Sequence, residues 1–112
     1  MTSRDRVLVQ KIIVYVDDVH QYSKGLSEES FLQDKKTVSA CAFAVSQIGE
    51  LSKELSGELQ NAATTIPWKA IKGMRNRIVH NYESVDPTVL WGTVMKSLPE
   101  LRSQLTELLE SL

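Results

Sequence analysis

The sequence is poor in residues that build special chemistry or interrupt regular structure. It has one cysteine, Cys41, so neither an internal disulfide nor a cysteine-based zinc cage can form. Its two histidines, His20 and His80, stand sixty positions apart, which excludes a helical histidine pair on a metal. Five glycines and three prolines in 112 residues leave long stretches free to be helical. No apolar run approaches the ~18 residues of a membrane span. Met1 to Gln10 carries Arg4, Asp5 and Arg6 where a signal peptide has its apolar core. The expected setting is a reducing cytoplasm, with no membrane partner. An excess of one charge is also lacking: 13 Lys and Arg against 14 Asp and Glu give −1. That balance excludes a strongly cationic arm coating any nucleic acid, but not a local basic patch.

What is present suits an ordinary globular domain. The chain is 42% hydrophobic and 24% charged, near the averages of about 45–50% and about 25%. Its length fits a single domain over residues 1–112, large enough to bury roughly two-thirds of its unfolded surface. Leu8, Ile12, Tyr15, Val19 and Tyr22 form one stripe on a helix over residues 4–24, with Gly25 at its positive-φ end. Ser27 caps a short helix at 28–33; Glu28 and Glu29 suit its first turn. Val38, Cys41, Val45, Ile48, Ser52 and Leu55 mark a helix over 35–56, with Gly57 as its stop. Residues 58–65 read as a loop. Thr65 as cap and Pro67 at the first helical position predict a helix over 67–82. Asp86 and Pro87 open the last helix, 87–110, which Pro99 should kink or split. No segment alternates with period two over a useful length. The expected fold is all-α, a four-helix up-down bundle with a short additional helix.

The charges are unevenly spread. From Leu59 to Tyr82 there is no acidic residue, while Lys69, Lys72, Arg75 and Arg77 give +4; the remainder holds 9 basic and 14 acidic residues, or −5. On a helix, Ile71, Ile78, Val79 and Tyr82 fall within about 60° of Arg75. Arg75 therefore sits in the apolar face and requires a partner, because burial of an unpaired charge is costly. Arg77 lies opposite, as a solvated charge. Asn76 and His80 are i, i+4 neighbours able to hydrogen-bond to one substrate group or to each other. A guanidinium fork matches phosphate oxygens, and a histidine moves protons near neutral pH. Together they suit attack of a ribose 2′-hydroxyl on its phosphate without a metal. Tyr82 adds a hydrogen-bond donor or a stacking surface. The residues alone leave catalysis, ordinary packing and dimer contact all open.

The pattern of Arg75 and Asn76, then His80, one residue and Tyr82, resembles the signature of HEPN domains. Ile48-Gly49-Glu50, Ile66-Pro67-Trp68, Met74-Arg75-Asn76, Val85-Asp86 with Trp91, and Leu98-Pro99 with Leu101 resemble, in order and spacing, the HepT-like branch. The chain departs from many relatives at Leu51 and Asn81. The resemblance implies a dimerising helical bundle with two motif helices bordering a shared cleft. It implies a metal-independent endoribonuclease toxin, with no cofactor of its own. Its partner would be an MntA-like nucleotidyltransferase antitoxin that uses ATP to AMPylate the motif tyrosine. Carried over, Arg75 holds the scissile phosphate and His80 is the acid/base group. Asn76 orients the phosphate or His80, and Tyr82 is the AMPylation acceptor that also positions substrate.

Glu50 is read either as the partner of Arg75 or as an exposed helix acid; Gly49 beside it is small enough for another helix to approach. Lys69 and Lys72 are candidates for guiding RNA, or a plain solvated face. Trp68 and Trp91 read as core or interface, Tyr15 and Tyr22 as core or dimer surface, and Cys41 as a small buried apolar residue. Two other readings stand beside the ribonuclease: a non-catalytic nucleotide-binding or docking partner of a minimal nucleotidyltransferase, and a plain dimerisation module.

Overall fold

The structure, a computed structural model, describes residues 1–80 and 85–111; His80 is described by its backbone only. All regular structure among these residues is helical. α1 (Ser3–Ser23) opens with a capping box in which the Asp5 N–H donates to Thr2 Oγ1 at 2.9 Å and the Thr2 N–H donates to Asp5. Its buried stripe runs Asp5, Leu8, Val9, Ile12, Val16, Val19, Ser23, so it is centred slightly off the expected one. Tyr22 is therefore exposed and Tyr15 half-buried, and neither belongs to the central core. Gly25 has a φ of 81°, the conformation expected after the helix. α2 (Glu28–Gln33) is capped by Ser27. α3 (Lys35–Glu54) is capped by Asp34, whose carboxylate accepts from the Thr37 N–H at 3.1 Å.

Three details differ from the sequence expectation. Gly57 does not stop α3; it opens α4 (Gly57–Ala62), which Ser56 caps. The chain therefore has a further short helix where a loop was expected. Six residues burying only Leu59 are too few to show a helical period. The next helix, α5 (Trp68–His80), shows no side-chain cap from Thr65 among the described residues; the Ile71 N–H donates to the Pro67 carbonyl, and the Thr65 carbonyl accepts from Gln104. Finally, α6 (Pro87–Gly92) and α7 (Leu98–Glu110) are joined without a break through a π-helical turn, Thr93–Ser97. There the Leu98 N–H reaches back to Thr93. Pro99 has no N–H to donate and crowds the preceding turn; the wider π turn absorbs both effects.

Contacts between helix ends give the directions. Arg4 of α1 pairs with Glu54 of α3 at 2.9 Å, and Asp17 of α1 pairs with Arg102 of α7 at 2.6 Å. Both neighbours of α1 thus run antiparallel to it. α3 packs on α1 along one side and on α5 along the other. The core is built of Val9, Ile12, Val19, Phe31, Cys41, Ile48, Leu90 and Leu105, all essentially inaccessible. Burial, with Asp34 adding repulsion, pushes the Cys41 thiol up to about 11, so it stays protonated as an apolar filler. The Trp91 ring packs on Phe31 with centroids 5.0 Å apart. No helix of the described residues is long and apolar enough to cross a membrane.

Candidate active site

The candidate residues lie where α3 and α5 cross. Gly49 is buried on α3, directly under the stem of Arg75. A Cβ at position 49 would overlap the Arg75 Cβ and lie 2.7 Å from its Cγ. The missing side chain of Gly49 is thus what lets α5 approach. The approach brings Glu50, the next residue of α3, against the guanidinium: Glu50 Oε1 and Arg75 Nη2 form an ion pair. The Arg75 side chain is 18% exposed and that of Glu50 38%, so the pair is half-desolvated and open on one side. Arg75 Nη1 donates to Asn76 Oδ1 at 2.8 Å. Its Nε is buried, without an acceptor among the described residues. The guanidinium is held at two corners, by the neighbouring helix and by the next residue of its own.

This geometry settles the expected need of Arg75 for a partner. It also gives Asn76 a definite contact: its carbonyl oxygen orients Arg75, which leaves its amide N–H groups as donors. Ile78 is buried and Ile71 half-buried beside Arg75, while Val79 is 47% exposed. The apolar face of α5 is therefore narrower than its spacing suggests, because its main partner is α3 alone. Arg77 is exposed, as expected. The backbone of His80 ends α5, one turn beyond Asn76. Tyr82 lies outside the described residues.

The basic candidates separate. Lys69 and Lys72 are both exposed, but Lys72 lines a cavity in the α3–α5 seam and Lys69 does not. Trp68 is half-buried and donates its indole N–H to the Ala63 carbonyl at 3.1 Å. Lys53 and Gln60 line the same cavity. The sequence reading missed them, although Lys53 follows Gly49 by one helical turn and so shares its face. His20 is exposed near Asp17 and Arg102, far along α1 from this seam.

Comparison with known proteins decides the family. The profile of the HepT-like family, described as ribonuclease HepT-like, matches residues 12–108. The chain belongs to the HepT-like ribonuclease family. Its relatives include a protein named as a candidate RNase from Caldanaerobacter subterraneus subsp. tengcongensis, 37% identical over 78% of each chain. Another, from Thermococcus cleftensis, is named probable ribonuclease HepT and is 32% identical over 89% of this chain and 91% of its own. A candidate RNase of Methanocaldococcus jannaschii is 27% identical over 100% of this chain and 97% of its own. No solved structure matches the chain. Membership sets the enzyme class, an endoribonuclease acting on RNA. The HepT-like match spans both helices of the seam, so Gly49, Glu50, Arg75 and Asn76 all lie inside it.

Proposed function

We propose that this HepT-like ribonuclease is the metal-independent toxin of a toxin–antitoxin pair, working as a homodimer and silenced by AMPylation of Tyr82. The observation that carries the reading is the half-buried Arg75 guanidinium, fixed between Glu50 and Asn76 on the helix that leads into His80. A guanidinium so oriented offers its remaining N–H groups to a scissile phosphate and stabilises the charge that builds on it. His80 takes the proton from the ribose 2′-hydroxyl as that oxygen attacks phosphorus, and a proton is returned to the departing 5′-oxygen. The products are a 2′,3′-cyclic phosphate and a 5′-hydroxyl. Asn76 holds Arg75 and keeps its amide free for a phosphate oxygen. Tyr82, two residues past His80, positions the substrate. Attachment of AMP to the Tyr82 phenol oxygen by an MntA-like nucleotidyltransferase, with ATP as donor and pyrophosphate released, adds bulk and negative charge two residues past His80. RNA then cannot enter.

One experiment tests this reading. RNA is incubated with the protein in EDTA, before and after treatment with the partner nucleotidyltransferase and ATP. The untreated protein should leave 2′,3′-cyclic phosphate ends; the treated protein should carry AMP on Tyr82 by mass spectrometry and produce no such ends. Binding of ATP or AMP with no cleavage of RNA would contradict the catalytic assignment and favour a docking partner. Full cleavage by the AMP-modified protein would contradict the regulatory one.

A further inference from the structure

The α3–α5 seam does not end at Arg75. Toward the N-terminus of α5 it opens into a cavity of about 180 Å³ lined by Gly49, Ser52, Lys53, Gln60, Trp68 and Lys72. Gly49 belongs to both places: it underlies Arg75 and forms part of the cavity wall. On α5, Trp68, Lys72 and Arg75 stand at i, i+4 and i+7, on one face. Lys72 and Arg75 are i, i+3 neighbours, with Cβ atoms about 5–6 Å apart. That separation places them within reach of successive phosphates of one strand.

The lining has the chemistry of a single-stranded nucleic-acid groove. Neither Lys53 nor Lys72 has an ion-pair partner among the described residues. The Trp68 ring is anchored by its N–H. Gln60 donates its amide to the Leu55 carbonyl at 2.9 Å, which leaves its side-chain oxygen as an acceptor. Two cations beside an aromatic ring hold a backbone phosphate and a base without reading sequence. The volume suits one such group rather than a folded ligand.

We propose that this cavity is the subsite for the nucleotide next to the scissile phosphate, with Lys53 and Lys72 on its phosphate and Trp68 against its base. The proposal rests on Arg75 holding the scissile phosphate. It adds Lys53 and Trp68 to the RNA path and separates Lys72 from Lys69.

Binding can be measured apart from cleavage with a fluorescein-labelled single-stranded RNA methylated at every 2′-oxygen, which lacks the nucleophile. Anisotropy titrations over a range of salt should show the Lys53→Ala, Lys72→Ala double variant binding at least about tenfold more weakly than the parent. The slope of log affinity against log salt should fall by about 1. Lys96→Ala, a change of an exposed lysine in the π turn, should bind like the parent. In a Trp91→Phe background the remaining Trp68 emission should change on binding. A double variant with parental affinity and salt slope would overturn the subsite, as would Trp68 emission indifferent to the RNA. On unmodified RNA the double variant should lose activity through KM rather than kcat. A parent that binds the methylated RNA through the lysines yet leaves unmodified RNA intact would uphold the cavity as an RNA-binding site and defeat the catalytic roles given to Arg75 and His80.

Discussion

At position 49 the backbone of α3 comes so near the stem of Arg75 that a single added methyl group would collide with it. The neighbouring atoms are the Cβ and Cγ of Arg75, which lie close to the α5 backbone and have little freedom to yield. Gly49→Ala should therefore displace α5 or rotate Arg75 away from Glu50. Overpacking of this kind costs about 1–3 kcal/mol. The expected outcome is a lower Tm together with a loss of RNA cleavage at temperatures where the variant is still folded. A variant with parental Tm and activity would show that the seam is looser than its geometry indicates. The sequence made part of this visible. Arg75 on an apolar face announces that it needs a partner, and a small residue beside Glu50 announces a close approach. Glu50 was named as its candidate partner on the family resemblance, and the ion pair bears that out. Helical spacing alone could not choose it, because the register of α5 along α3 is a tertiary fact.

Helix starts were legible because caps are local chemistry. Ser27 and Asp86 cap α2 and α6 as their residue types suggest, and Pro87 takes the first turn of α6. The short α4 was hidden for the opposite reason: its cap, Ser56, is followed by a glycine usually read as a stop. Ser56 is held from outside its own helix. The buried Asp5 carboxylate accepts the Ser56 N–H at 2.9 Å and the Ser56 hydroxyl at 2.6 Å. It also accepts the Thr2 N–H. One side chain thus joins the start of α1 to the start of α4. Burial alone would raise the Asp5 pKa; the hydrogen bonds from Ser56 and Thr2 outweigh it and bring the carboxyl from 3.8 down to about 2. A depressed carboxylate stabilises the fold above its unfolded pKa, and that contribution disappears as pH falls through the folded value. The parent should therefore lose stability on acidification from about pH 4 toward pH 2. Asp5→Asn should be less stable at pH 7, by about 1–3 kcal/mol, since it leaves buried donors poorly matched. It should also lack this part of the acid response. Denaturant titrations of both proteins across that pH range check it; parallel curves would assign the acid loss to other groups.

For the whole molecule, the all-α architecture followed from sustained helical spacing and scarce glycine and proline. The arrangement that matters for function, α3 sandwiched between α1 and α5, emerges only from the packing. The near-neutral charge of −1 conceals a basic stretch of +4 over Leu59–Tyr82. The fold brings Lys72 and Arg75 of that stretch to the α3–α5 seam, where Lys53 of α3 adds a further cation. An otherwise acidic body with one cationic seam disfavours indiscriminate coating of RNA while favouring its capture at one place. The motif was readable as a line of residue types. Of its environment, Gly49 and Glu50 were readable as well, but Lys53 was not, because nothing in its local pattern ties it to α5. The central claim is that this seam delivers RNA to His80 for cleavage. The most direct measurement compares the parent with His80→Ala on the same RNA, with circular dichroism and native mass recorded for both. The account predicts a rate at least about a hundredfold lower for His80→Ala, with unchanged helicity and mass. Cleavage by that variant at the parental rate would contradict it.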